Sequence, residues 1–315
     1  VHVPEILFER LKSKEPSALR RLPGSQIREF LQSRGFSQAT VKATPTPGLY
    51  SIRYNQPLPG KTGIVIPTKN NGHILKLAVE SLEETVPSDL YDLIVVNHES
   101  DDPDTINLLQ QLGTKHRVID YKGPFNFSRI NNLAVECFDE TIGSFLFMNN
   151  DIEAIQDGWL QNMRDLLGRR EVGIVGATLL YPPDVFSNSR SDFFAASRIE
   201  TKDLYSAAIR ESGHKRTEFD EEYPYLIQHA GVMLNIGLAE HYQKFERYRD
   251  AYSQDHPENS MIPRLVTRAF SAVTAACMLI RRDVFEGLSG FDDTLAVGYQ
   301  DVDLCLRARN QGYRI

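Results

Sequence analysis

GIVIPTKNNGHILKLAVESLEETVPSDLYDLIVV, residues Gly63 to Val96, decides the fold class. Gly63 to Ile66 reads as a short buried strand, His73 to Glu84 as a helix with one apolar face, and Leu93 to Val96 as a second buried strand. Strands buried on both faces are unbroken apolar runs, and a helix between two of them makes them parallel partners. The alternation continues with helix Asp104 to Leu112, strand Val118-Ile119, helix Ser128 to Phe138, strand Ser144 to Met148, helix Gly158 to Leu167 and strand Val172 to Val175. The expected fold is therefore α/β, a Rossmann-like, mostly parallel sheet flanked by helices, with ligands at the carboxyl ends of the strands.

Working outward, residues 1–60 read as a helical prelude (Ile6 to Leu11, Ser25 to Arg34) and a Pro-rich connector from Thr44 through Pro59. Residues 61–315 form the main domain, interrupted at 184–224 by a polar, aromatic insertion with helical character around Lys202 to Glu211. The run Ala269 to Ile280 is too short to span a bilayer and reads as a buried strand. The chain starts at Val1, and Gly312-Tyr313-Arg314-Ile315 reads as a helix stop followed by the first residues of a strand, so both ends are expected to continue.

Composition excludes several functions. The 35 Lys and Arg against 42 Asp and Glu give a net charge of -7, with no basic, aromatic-interleaved stripe for nucleic acid. Cys137, Cys277 and Cys305 have no C-x-x-C spacing, so they read as core thiols of a reducing, cytoplasmic compartment. Where a dinucleotide fold carries G-x-G-x-x-G, this chain has Pro67-Thr68-Lys69-Asn70-Asn71, which argues against a nicotinamide cofactor.

Two acidic spots carry the chemistry. Asn149-Asn150-Asp151-Ile152-Glu153 follows an apolar strand, and Gly290-Phe291-Asp292-Asp293 leads to Gln300-Asp301-Val302-Asp303. Breaking a sugar–diphosphate bond needs oxygen ligands for a hard cation and a separate carboxylate as general base. Each spot also has a structural reading: an Asx turn after the strand, Asp301 as a helix cap, and Asp303 paired with Arg307 one turn on. Asn126, Ser128, Asn131 and Asn132 cluster at a helix start, where amides read a base or sugar or cap the helix. His229, in Gln228-His229-Ala230-Gly231, is open to a structural or a catalytic role.

Taken in order, Ile64 to Asn70, Phe125 to Asn132, Phe147 to Glu153, Val172 to Ala177, Gln228 to Val232, Ser271 to Ile280 and Gly290 to Ile315 resemble family 2 of the inverting nucleotide-sugar glycosyltransferases. Within it, the chain is most similar to the rhamnosyltransferase-like branch of bacterial surface polysaccharide assembly. The resemblance implies the glycosyltransferase A fold and transfer of a hexose-like sugar from a nucleoside-diphosphate donor to a glycan or lipid-linked acceptor, with Mg²⁺ or Mn²⁺. It also implies work in the cytoplasm, including peripherally at the inner face of the membrane through regions beyond this chain. It puts Pro67, Thr68 and Asn70 in the nucleotide pocket, with Asn97, Asn126, Asn132, Asn149 and Asn150 as further donor-side candidates. Asp151 falls on the metal side of the family's D-x-D motif and Asp301 on its catalytic base. The resemblance assigns no role to His229 and Asp303, which stay candidates for the acceptor or donor side, with the pairing to Arg307 preferred for Asp303. Asn97, Asn149 and Gln300 stand where the family carries carboxylates, which leaves a degenerate sugar-binding domain without turnover as the alternative. A nucleotidyltransferase is the second rival, opposed by the lack of a Gly-rich, basic phosphate loop.

Overall fold

The computed structural model describes residues 23–44, 50–181, 226–235, 238–242, 244 and 267–315. The expected helices at Ile6 to Leu11 and Lys202 to Glu211, and the insertion at 184–224, lie outside these residues. Helix α1 (Gly24–Ser33) and the antiparallel pair β1 (Thr40–Ala43) and β2 (Tyr50–Arg53) form a small unit before the main sheet. The connector behind them is held down by Asp165, whose carboxylate accepts the N–H of Tyr54 (2.8 Å) and of Asn55 (2.7 Å).

The main domain runs β3 (Lys61–Thr68), α2 (Gly72–Thr85), β4 (Tyr91–His98), α3 (Pro103–Leu112), β5 (Arg117–Tyr121), α4 (Phe127–Glu136), β6 (Ile142–Met148), α5 (Trp159–Leu167) and β7 (Ile174–Gly176). Then come β8 (Leu179–Tyr181), β9 (Leu226–His229), β10 (Val232–Asn235), β11 (Leu238–His241), β12 (Cys277–Arg281), α6 (Arg282–Gly287) and α7 (Gln300–Asn310). The six-stranded sheet has the order β5-β4-β3-β6-β12-β7. Strands β3 to β6 are parallel, while β12 is antiparallel to both neighbours.

Period-two alternation sorts the apolar strand residues onto two faces. Val65, Ile94, Val96, Phe145, Phe147, Met278 and Ile280 point to a core closed by α4, α6 and α7. Ile64, Ile66, Leu93, Val95, Leu146, Met148 and Leu279 point to the core under α2, α3 and α5. Burial on both faces is why these strands lack polar alternation. Cys277 and Cys305 lie in these two cores, Cys137 is half-buried, and all three are free thiols.

One expected strand is shorter in the structure. Of the run Ala269 to Ile280, only Cys277 to Ile280 joins the sheet, as the start of β12. Ahead of it, Ala272 bridges to Val232, and the amides of Thr274 and Ala275 bond to side chains, which draws this stretch off the sheet and into the site described below. At the other end, Arg314 forms an isolated parallel bridge to Val172. Among the described residues, no helix is long and apolar enough to cross a membrane.

Candidate functional site

Between β3 and β6 the strand order reverses direction, and in open α/β sheets ligands sit in the crevice at such a switch point. The structure has a cavity of about 490 Å³ there. Its floor is Pro67 and Thr68 at the end of β3, Lys69 and Asn71 beyond it, His98 at the end of β4, and Asn149, Asn150 and Asp151 after β6. Thr274, Ala275 and Ala276 before β12 and Val297, Gln300 and Asp301 at α7 close the opposite side, with Phe125, Phe127 and Ile130 forming an apolar wall. Asn150 Nδ2 donates to Thr68 Oγ1 over 3.0 Å, which stitches the two halves of the crevice together.

Asp301 sits in the first turn of α7 but does not cap it. The capping position falls on Tyr299, in the left-handed region at φ 65°, with no side-chain cap. Asp301 instead accepts the Ala275 N–H on Oδ2 (3.0 Å) and the Val302 N–H on Oδ1 (2.8 Å). Two donors fix the carboxylate plane at the cavity wall. Beside it, Oε1 of Gln300 is buried without a partner among the described residues, as is Nδ1 of His98. His98 Nε2 lies 2.8 Å from the Gly123 carbonyl and donates to it, so its Nδ1 is the ring acceptor.

Of the other residues singled out by sequence, Pro67, Thr68, Asn149, Asn150 and Asp151 line the cavity, and Asn70, Asn97, Asn126 and Asn132 do not. Each of these four asparagines is occupied with backbone. Asn70 Oδ1 accepts the N–H of Asp101 (2.9 Å) and Asp102 (3.0 Å), pinning the loop after β4 to the loop after β3. Asn97 accepts the Ser100 N–H (3.1 Å) and donates to Asp120 (2.8 Å). Asn126 caps α4 by accepting the Arg129 N–H (2.9 Å) and donates to the Asp293 carbonyl (2.8 Å). Asn132 accepts the Phe291 N–H (3.0 Å) and donates to the Phe291 carbonyl (2.9 Å), against Gly290 at φ +70°, where a Cβ would come within 2.6 Å of Asn132 Oδ1. The amide cluster thus holds the loop that leads to Val297 and Asp301.

Asp303 pairs with Arg307 (2.8 Å), whose other nitrogens donate to the carbonyls of Leu288 and Gly290, and Glu153 is exposed outside the cavity lining. His229 is buried behind Thr274, and its Nδ1 lies 2.9 Å from Nδ1 of His241. Burial, and then the neighbouring His241, press the pKa of His229 down to about 3. His98 and His241 were not visible as site residues in the sequence. His98 carried a usable signal, since it ends an apolar strand as Met148 does. His241 carried none, because its partner is set by the pairing of short strands.

The family model of glycosyl transferase family 2 matches residues 63–233, more than half of the 315 residues. The chain belongs to glycosyl transferase family 2. The match spans the crevice from β3 through β6, and Asp301 lies beyond it. Within this family setting, the chain is 27% identical over 325 residues to the O-antigen biosynthesis protein RfbC of Myxococcus xanthus, covering 100% of this chain and 21% of that protein. It is 30% identical over 289 residues to the uncharacterized protein y4gI of Sinorhizobium fredii, covering 88% of this chain and 26% of that one. The chain therefore spans about a fifth to a quarter of the length of these relatives. A mannosyltransferase from Pyrobaculum calidifontis, solved with GDP-Man and Mn²⁺, aligns over 92% of this chain and 61% of its own with a TM-score of 0.46 and 13% identity.

Proposed function

We propose that the chain is the catalytic unit of an inverting glycosyltransferase that takes a hexose from a nucleoside-diphosphate sugar and passes it to a growing surface glycan or its lipid-linked precursor. One observation carries this reading: Asp151 and Asp301, 150 positions apart in sequence, line the same cavity at the switch point of the sheet. One carboxylate belongs on the diphosphate side and the other on the acceptor side.

The donor set suits a hard divalent ion. Asp151 with the amide oxygens of Asn149 and Asn150 offers one carboxylate and neutral oxygens, and Mg²⁺ or Mn²⁺ takes its remaining ligands from phosphate and water. Charge balance supports the same conclusion, because Lys69 is the only Lys or Arg among the described lining residues against the two carboxylates. When bound, the ion offsets the negative charge of the departing diphosphate.

The rest is done by this chain's own residues. Asp301 accepts the proton of the acceptor hydroxyl while that oxygen bonds to the anomeric carbon. The bond from that carbon to the diphosphate oxygen breaks, the electron pair leaves with the diphosphate, and the configuration inverts. The Ala275 and Val302 amides hold the carboxylate in place during this transfer. Phe125, Phe127 and Ile130 exclude water from one wall, which limits hydrolysis of the donor. We place the reaction in the cytoplasm, because the free, buried Cys277 and Cys305 suit a reducing compartment.

A second reading, a sugar-binding domain without turnover, is favoured by Asn149 in place of the first carboxylate of the metal motif. Transfer from UDP-, GDP- and dTDP-hexoses by the full-length protein tests the two. Turnover supports the transferase, and binding with no hydrolysis or transfer in any of them supports the binding domain.

A further inference from the structure

Strand β9 and strand β11 bring two imidazoles into contact, with Nδ1 of His229 2.9 Å from Nδ1 of His241 and the rings at 80°. Two like nitrogens bond only if one donates and the other accepts, so the tautomers of the pair are coupled. The backbone decides which is which. The Thr274 N–H donates to His229 Nε2 over 3.3 Å, so the His229 proton sits on Nδ1. His229 then donates to His241 Nδ1, and neutral His241 carries its own proton on Nε2. The chain of bonds runs one way, from Thr274 through His229 to His241.

The next residue after Thr274 is Ala275, whose N–H holds Asp301 Oδ2 (3.0 Å). Consecutive amides of one segment therefore anchor the histidine pair and the carboxylate at the cavity. The segment is held from the same side by the bridge of Val232 to Ala272, in which the Val232 N–H donates to the Ala272 carbonyl (2.9 Å). His229 is 1% exposed. A buried imidazole this close to the site has no other role in the mechanism above.

We propose that His241 is a positioning residue for Asp301, acting through His229 and the Thr274–Ala275 amides. The inference rests on reading Asp301 as the base. It also makes the site sensitive to acid. The groups that face His241 are His229 from β9, Asp301 from α7 and Lys244 just beyond β11. Burial and Lys244 hold the His241 pKa below its ordinary value, against the pull of Asp301. A proton arriving on His241 must bind Nδ1, the nitrogen that accepts from His229. His229 would then have to move its proton to Nε2, where it confronts the Thr274 N–H and releases the segment.

The test uses ¹⁵N-histidine-labelled full-length protein together with kinetics on a UDP-hexose and a GDP-hexose. The imidazole nitrogens should show His229 as the Nδ1–H tautomer and His241 as the Nε2–H tautomer at pH 7.5. His241→Phe should lower kcat about tenfold or more with donor KM within about twofold, the pattern of a lost transition-state interaction. His241→Asn places an oxygen where Nδ1 was and cannot take a proton, so it should restore most of kcat and move the acidic limb of the pH profile to lower pH, leaving only the limb set by the base itself. His229 protonated on Nε2, an unchanged kcat in His241→Phe, or no rescue by His241→Asn would each overturn the proposal. Parental transfer by Asp301→Asn would instead overturn the assignment of the base and leave the tautomer result standing.

Discussion

Replacing Asp301 by asparagine separates chemistry from structure because the two carboxylate oxygens have different partners. Oδ2 accepts from Ala275 and Oδ1 from Val302. Asparagine supplies one carbonyl oxygen, so its amide nitrogen must face one of these N–H groups, donor against donor. An N–H left unpaired in a partly buried site costs about 1–3 kcal/mol, more than the loss of a simple helix cap would suggest. For a domain of this size that is about 2–4 °C in Tm for each kcal/mol. Losing the general base costs more and appears elsewhere, as a fall of about 10²–10⁴-fold in transfer. The assay is transfer by full-length wild type and Asp301→Asn, at a temperature well below both melting points, alongside nucleoside-diphosphate affinity. The expected outcome is retained affinity, a melting point lower by several degrees and transfer reduced at least about a hundredfold. Transfer at the parental rate in a folded Asp301→Asn protein would refute the reasoning.

Acid should destabilise the fold through His229: its folded pKa is about 3, below the ordinary value of 6.5, so between these the unfolded state binds the extra proton and stability falls as pH falls. Going from pH 7 to pH 5 should cost about 2 kcal/mol at 1.36 kcal/mol per pH unit, measured by urea unfolding, and His229→Gln should flatten that slope. Asn132→Ala should lower stability by about 1–3 kcal/mol through loss of its bonds to Phe291, read by thermal melting, while leaving UDP and GDP affinity unchanged.

Much of the sheet was legible because strands buried on both faces leave an unbroken apolar run, as at Ile64 to Ile66 and Phe145 to Met148. The helices between them were legible from their periodicity. The edge of the domain was less so: Ala269 to Ile280 is as apolar as a strand, yet its amides are claimed by His229 and Asp301, and no local pattern announces bonds to residues 26 to 45 positions away. In the site, residues directly following a strand could be placed by the general geometry of α/β sheets, which is how Asn149, Asn150 and Asp151 were found, while Pro67 and Thr68 came from the family resemblance. The asparagines at 126 and 132 fit a ligand equally well by sequence. Only the structure shows their amides turned onto the backbone of 291 and 293. The His229–His241 contact depends on how short strands pair, and nothing in the residue order specifies it.

The central claim is that Asp151 and Asp301 frame one site for a metal-bound nucleoside diphosphate and an attacking hydroxyl. Calorimetric titration of UDP and GDP into the full-length protein, with and without Mn²⁺, tests its metal half most directly. A single protein carboxylate binds the ion weakly by itself, so the nucleotide should supply the missing oxygens and the two should tighten each other. The account predicts at least about a tenfold gain in diphosphate affinity with Mn²⁺ for one of the two nucleotides, and no gain in Asp151→Ala. Equal affinity with and without Mn²⁺ in the unmutated protein would contradict it.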